Sequence, residues 1–363
     1  MNVLIAPNAF KGTLSAIEAG EIIASSIRSR NPKASIEVIP IGDGGDGTCE
    51  LLGYSLGLTF VSFWCLNAVG KPVLGSYYLN EDKAYIDVSA FSGLGQLPPH
   101  ELDIKVSSTY GTGQAIQHAI SKGAKEIILG LGGSATIDLG IGILQALGIH
   151  FLDANGRNLI PFSKDFLFKI KHIQKGPKIP KVKFTCLCDV KNTFGGPDGA
   201  IPVFGPQKGL ISEEISKYEN QCELLLEMMY RKSNLAFQDK SGFGAAGGIA
   251  AGLSGFFETK IETGATYFFG QISLEKKLEK ADFLITGEGR YDNQSKSGKA
   301  CFELLKLAEK YQKPIFLITS GEEALSEEFT RVYQLPDLNF QKNNFREVAK
   351  KNLKEISQTI DLE

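Results

Sequence analysis

With 363 residues, 22% of them charged and well mixed along the chain, the sequence is long enough for two domains and too evenly patterned for extended disorder. Its 39 basic and 41 acidic residues leave a net charge of −2, which gives no reason to expect nucleic acid or an acidic membrane as partner. No stretch reaches the roughly 18 apolar residues of a transmembrane helix, and the opening MNVLIAPNAFKG lacks the basic flank of a signal peptide, so a cytoplasmic protein with no membrane partner is expected.

In chain order, NVLIA reads as a strand and APNAFKGT as the turn behind it. Ser15 and Glu18 form a capping box for a helix running to about Arg30, where Asn31-Pro32 stops it. SIEVIPI (35–41) is the next strand, and GDGGDGT leads into another helix. Residues 59–88 alternate as short strands around a turn at Asn80-Glu81-Asp82, with an antiparallel pattern. EIILG empties into a glycine-rich turn expected to open a helix. FTCLCD is a strand ending at Asp189, VFGPQKG places Gln207 and Lys208 in a tight turn, and GFGAAGGIAAGLSGFF (242–257) reads as a glycine- and alanine-rich helix. That helix suits either close helix packing or the close approach of another backbone or a ligand. ADFLITG (281–287), the helix CFELLKLAEKY, PIFLITSG (314–321) and an amphipathic helix from about 345 to 360 complete the chain. The alternation predicts an α/β protein of two α/β domains. A Rossmann- or flavodoxin-like parallel-sheet domain is expected from residues 1–80 and 281–363, with a second α/β domain, 81–280, inserted and carrying the glycine-rich loop.

Six cysteines, at 49, 65, 186, 188, 222 and 301, form neither a CxxC pair nor a Cys/His cluster at metal spacing, and are expected as buried reduced thiols. The four histidines stand in no constellation. Chemistry concentrates in polar loops behind strands, where ligands of open α/β sheets bind. PNAFKGT, GDGGDGT and GEGRYDNQ supply Lys11, Asp43, Asp46, Glu288, Arg290 and Asp292, a mixture of carboxylates and cations that suits Mg²⁺ and phosphoryl groups. The turn Gly130-Leu131-Gly132-Gly133-Ser134-Ala135 can present peptide N–H groups to an anion. It also matches G-x-G-x-x-[GA] with Asp153 about 20 residues on, the spacing of a dinucleotide fingerprint, although DANGR reads equally as a hairpin turn. It is no Walker A loop, since no Gly-Lys-Ser/Thr follows. Asp189 at its strand end is either a functional carboxylate or a helix N-cap.

The stretches APNAFKGTLSAIEAGEII, IPIGDGGDGT, STYGTGQAI, LGLGGSATIDLGIGILQALG, CDVKNTFGGPDGA, VFGPQKG, GFGAAGGIAAGL and ADFLITGEGRYDNQSKSGK together resemble the bacterial glycerate kinase family, in family order to about residue 300. Asn8 stands where that family often has aspartate, Ile137, Leu139 and Ile141 replace its usual asparagine and small residues, and the last sixty residues match poorly. The resemblance implies two α/β domains with the site in the cleft, and ATP-dependent phosphorylation of D-glycerate to 2-phosphoglycerate by a monomer or homodimer. On that reading Gly132, Gly133, Ser134, Ala135, Thr136 and Asp138 hold the nucleotide, and one or two of Asp43, Asp46 and Asp189 hold Mg²⁺. Arg290 or Lys11 grips the glycerate carboxylate, with Asn192, Gln207, Glu288 and Asp292 as further substrate contacts. Asp189 is expected as the base for the attacking hydroxyl and Lys208 as the neutraliser of developing charge. Two other classes share the same loops: an NAD-dependent hydroxy-acid dehydrogenase, which lacks a placed histidine for proton relay, and a non-catalytic metabolite-binding protein.

Overall fold

Short β-branched runs punctuated by glycine, proline and aspartate form the strands, and amphipathic stretches form the helices over them. The computed structural model describes residues 1–10, 12–292, 295 and 298–362. The strands are β1 (Asn2–Ile5), β2 (Ser35–Val38), β3 (Thr59–Leu66), β4 (Pro72–Asn80), β5 (Lys83–Asp87), β6 (Glu126–Gly130), β7 (Ile149–Leu152), β8 (His172–Lys175), β9 (Lys183–Cys188), β10 (Thr259–Thr263), β11 (Phe283–Arg290), β12 (Ile315–Ser320) and β13 (Arg331–Gln334). The chain divides into a terminal unit, Met1–Asp43 with Ala265–Glu363, and an inserted unit, Gly44–Gly264.

The terminal unit is built on one sheet in the order β13-β12-β11-β1-β2, parallel at every pairing. Numbered within the unit, the strands run 2-1-3-4-5, a flavodoxin-like order whose winding reverses between β1 and β11. Side chains alternate across this sheet. Val3 and Ile5 pack with Ala19, Ile23 and Ile27 of the helix Ala16–Arg30 and Leu353 of the helix Phe345–Ser357. The helices Leu274–Lys280 and Ala300–Lys310 also lie against β1, β11 and β12. The expected capping box is present: Ser15 N donates to Glu18 Oε2 at 3.0 Å, and Glu18 N donates to Ser15 Oγ at 3.1 Å.

The inserted unit carries a six-stranded sheet, β10-β9-β6-β5-β4-β3, and the small β7-β8 hairpin. β5, β6, β9 and β10 are parallel neighbours, while β3, β4 and β5 pair antiparallel, as the alternation at 59–88 predicts. The β4-β5 turn places Glu81 in the left-handed region at φ 51°. This pairing corrects the expected division of the chain. Residues 44–80 belong with the inserted unit because β4 hydrogen-bonds to β5, which hydrogen-bonds to β6. At the other end the break falls at 264 rather than 280.

Two further expectations change. The glycine-rich turn after β6 does not open a helix at once: residues 131–140 are an extended loop, and only Ile141–Ala146 is helical. The segment 242–257 is one short α-helix, Ile249–Ser254, preceded by a 3₁₀ turn and four residues at positive φ, Gly242, Ala246, Gly247 and Gly248. β13, which sequence patterning leaves unassigned, adds the outer strand beside β12. The six cysteines are free and buried. Among the described residues no helix is long and apolar enough to cross a membrane.

The loop before the helix Thr48–Leu56 reaches the carboxyl end of β9 through Gly44, at φ +97°, where an added Cβ would stand 2.6 Å from the Cys188 carbonyl carbon. Gly44→Ala therefore combines strain with backbone collision. It is expected to lower stability by more than about 1 kcal/mol. Urea unfolding measures this, and an unchanged midpoint would contradict the close packing.

Candidate active site

Chemistry-bearing side chains gather at the carboxyl ends of the parallel strands in each unit. In the terminal unit a cavity of about 570 Å³ opens where the winding reverses, beyond β1 and β11. Asn8, Asp43, Glu288, Arg290, Asp292 and Lys299 supply its polar wall. Asn8 Nδ2 donates to Asp43 Oδ2 at 2.9 Å, and Asn8 Oδ1 accepts from Ala9 N at 2.7 Å, so this amide fixes a carboxylate that is only 4% exposed. Arg290 is largely exposed, and its guanidinium pairs with Glu323 Oε1 at 3.1 Å. Lys299 Nζ lies 3.5 Å from Asp292 Oδ1. Burial pushes the Glu288 carboxyl up to about 7, with Asp43 and Asp292 adding to the rise and Lys299 opposing it. Four of the residues expected from sequence, Asp43, Glu288, Arg290 and Asp292, thus share one cavity. Lys11 lies outside the described residues.

In the inserted unit the glycine-rich loop leaves β6 with two backbones pressed against it. A Cβ on Gly132 would stand 2.2 Å from the Gly45 carbonyl carbon and 2.3 Å from Asp46 N. On another side a Cβ on Gly247 would stand 2.2 Å from Thr136 O, and Leu139 N donates to Gly247 O at 3.1 Å. The glycine/alanine segment 242–257 therefore serves close approach of this backbone. Gly133, at φ +69°, turns the loop beside Asp46: its added Cβ would lie 3.0 Å from Asp46 Cγ. Asp46 is exposed, and half-buried Asp189 directly follows β9, whose last residue Cys188 abuts Gly44.

Lys208 is 2% exposed, and its Nζ donates to Ser134 Oγ at 2.8 Å and Thr136 O at 2.9 Å. Burial pushes this ammonium down to about 7, with Asp138 opposing the shift. Asp138 accepts four donors: Thr109 N at 2.8 Å, Thr109 Oγ1 at 2.9 Å, and Gly140 N and Gly142 N at 3.2 Å each. Burial raises its carboxyl and those donors lower it. Both residues were expected to face ligand. The structure places them inside, holding the loop in shape.

The same holds for part of the expected nucleotide contact. Ala135 and Thr136 are buried, and Ala135 N donates to Ser92 O, so the accessible stretch narrows to Gly132 and Gly133 with Ser134 behind them. Ile137 and Leu139 are fully buried core residues. The Asn192 side-chain amide donates to Asp198 O within its own loop at 2.7 Å, its backbone carbonyl accepts from Gly242 N and Gly244 N, and Gln207 is exposed beside Lys208. Asp153 accepts from Asn155 N and Arg157 N within a turn, which accounts for DANGR without a ribose.

Sequence reasoning missed Asp87, Asn8 and Lys299. Asp87 ends β5 and accepts from Cys49 N at 3.1 Å and Glu50 N at 2.9 Å, anchoring the helix that follows the Asp46 loop. Burial foremost, with Asp46 and Glu50 adding, lifts it to about 7. Its signal was the carboxylate closing the apolar run Ala84-Tyr85-Ile86. Lys299 closes the polar loop GEGRYDNQSKSGK, where its role depends on a fold the spacing alone does not show. Among the described residues no group of three or more His, Cys, Asp or Glu side chains is arranged as a metal cage.

The Lys208 shift has a measurable consequence. From pH 7 to 10.5 the unfolded chain keeps a proton that the folded lysine has released, so wild-type stability rises with pH across that window. Lys208→Met is expected to remove this component. Equal slopes of unfolding free energy against pH in both proteins would contradict the assignment.

Comparison with known proteins bears on the whole chain. The sequence model of the glycerate kinase family matches residues 3–361. Glycerate 2-kinase of Escherichia coli (strain K12) is 35% identical over 326 residues, covering 88% of this chain and 85% of that protein. Glycerate kinase of Bacillus subtilis (strain 168) is 33% identical over 338 residues, 92% and 88% of the two chains. A crystal structure from Salmonella typhimurium LT2, of a protein described as a glycerate kinase 2, superposes with a TM-score of 0.85 at 31% identity, covering 99% of this chain and 96% of that one.

Proposed function

The chain belongs to the glycerate kinase family, and from that premise we propose that it transfers the γ-phosphoryl group of ATP to a hydroxyl of D-glycerate. The product is 2-phosphoglycerate, a position supported by the name of the E. coli relative, Glycerate 2-kinase. The observation that carries the phosphate assignment is the pairing of an accessible glycine turn with a carboxylate: Gly132 lies against the Gly45-Asp46 backbone, and Gly133 lies beside the Asp46 carboxylate. A bare anion would be repelled by Asp46, whereas a phosphate chain carrying Mg²⁺ suits both groups. Mg²⁺ keeps several waters and needs only one or two protein carboxylates besides phosphate oxygens, which fits Asp46 and Asp189. Held by these two carboxylates, the ion would neutralise phosphate charge.

The protein's own part is positioning and charge. Lys208, through Ser134 and Thr136, and Asp138 hold the loop rigid from within, so Gly132 and Gly133 present a fixed surface to the phosphates. Arg290 receives the glycerate carboxylate, its planar fork matching two oxygens. The terminal-unit cavity that Arg290 lines, with Asn8 and Asp43 fixed against each other, orients the rest of the acid.

ADP release measured with ATP, Mg²⁺ and D-glycerate is expected to depend on all three, with phosphorus NMR showing a 2-phosphate ester. Release indifferent to glycerate, or a change in NADH absorbance with glycerate instead, would overturn the reading. Arg290→Lys is expected to raise the KM for glycerate by about tenfold or more, since a charge-assisted bidentate contact is worth roughly 1.5–3 kcal/mol. An unchanged KM would remove Arg290 from the acid's binding site.

A further inference from the structure

The terminal-unit cavity is lined by a glutamate with one carboxylate oxygen to which no described residue donates a hydrogen bond. Glu288, at the end of β11, is 5% exposed, and its Oε1 is buried with no hydrogen-bond partner among the described residues. Buried polar atoms are nearly always bonded, and leaving one unmade costs about 1–3 kcal/mol. The side chain lines the same cavity as Arg290. A small hydroxy acid fits this pair of groups: its carboxylate is drawn to the guanidinium, and its hydroxyl supplies the donor that Oε1 lacks.

The charged and titratable groups that act on Glu288 come from several elements. Lys299 stands at the start of the helix Ala300–Lys310 and Cys301 within it, Asp43 follows β2, and Asp292 lies in the loop after β11. Asp43 is fixed by the Asn8 amide. With burial as the leading cause, these surroundings set the Glu288 carboxyl near neutrality, where a general base works best.

We propose that Glu288 is the proton acceptor for the hydroxyl that is phosphorylated. Its Oε1 takes the O–H proton as the hydroxyl oxygen bonds to the γ-phosphorus of ATP, and the bond from that phosphorus to the β,γ-bridging oxygen breaks to release ADP. This assignment rests on the glycerate kinase reading. It moves the base from Asp189, in the inserted unit, to a residue lining the cavity that Arg290 also lines.

The test compares wild type with Glu288→Gln and Glu288→Asp, each checked for folding by its thermal midpoint. Glu288→Gln is expected to lower kcat by about 10²–10⁴ while calorimetric binding of glycerate stays within a few-fold. In wild type kcat rises with pH through about 7 as Glu288 loses its proton, and that limb is absent from the residual activity of the variant. Should the glutamine variant fail to fold, Glu288→Asp carries the test through a displaced acid limb and a reduced kcat. A Glu288→Gln enzyme with kcat within threefold of wild type, one that keeps the acid limb, or one that loses binding and turnover in parallel would overturn the proposal. Wild type that releases no ADP in response to glycerate overturns the kinase reading and the base with it. Wild-type turnover beside an unimpaired variant overturns the base alone.

Discussion

In the inserted unit, the backbone of residues 44–46 runs so close to the loop after β6 and to the end of β9 that no side chain fits between. Gly132 meets Gly45 and Asp46, and Gly44 meets Cys188, at distances where a Cβ would collide with peptide atoms. Everything at this edge follows from that contact. It brings Asp46 beside Gly133, and it sets the loop against the strand end that Asp189 follows. The helix after the loop is then fixed by Asp87, whose carboxylate accepts its first peptide N–H groups. Backbone contacts of this kind have few soft coordinates, which is how a loop achieves the precision that phosphoryl transfer requires.

The electrostatics of the two units differ in kind. Around the glycine turn the buried charges look inward: Lys208 and Asp138 spend their hydrogen bonds on Ser134 and Thr136 and on Thr109, Gly140 and Gly142, while Asp46 is exposed and Asp189 half-buried. In the terminal unit the cavity keeps its charges on the wall, with Arg290 largely exposed and Glu288 buried near neutrality. Titratable groups held near the working pH by burial cluster at functional sites, and Glu288 satisfies both the burial and the cavity criterion. Asp87 and Lys208 are shifted as far, yet each is engaged within the fold. A perturbed group becomes chemically interesting only when a bonding position remains open.

Much of this was legible in the sequence because its causes are local. The capping box of Ser15 and Glu18, the Asn80-Glu81-Asp82 turn and the polar loops behind β1 and β11 are short-range signals, and the structure carries each of them. The expected boundary at residue 80 cuts the β4-β5 hairpin, and what ties that hairpin to the inserted unit is the pairing of β5 with β6, whose partners lie more than forty residues apart (Lys83 with Glu126) and leave no local signal. The motif GGSATIDLG reads as one polar surface, yet half of it faces the core: Ile137 and Leu139 are apolar because they are buried, and Asp138 is acidic because four donors converge on it. Neither the burial of Glu288 nor the Asn8–Asp43 bond is visible in spacing, since both depend on where β2 and β11 bring their loops.

On the proposed assignment the glycine turn receives the nucleotide phosphates and the switch-point cavity receives the acid. Hydrogen exchange read by mass spectrometry tests it directly, with a non-hydrolysable ATP analogue and Mg²⁺ in one sample and D-glycerate in another. Nucleotide is expected to slow exchange at residues 131–134, and glycerate to slow it at residues 287–290. Nucleotide protection confined to 287–290, with 131–134 unchanged, would contradict the assignment.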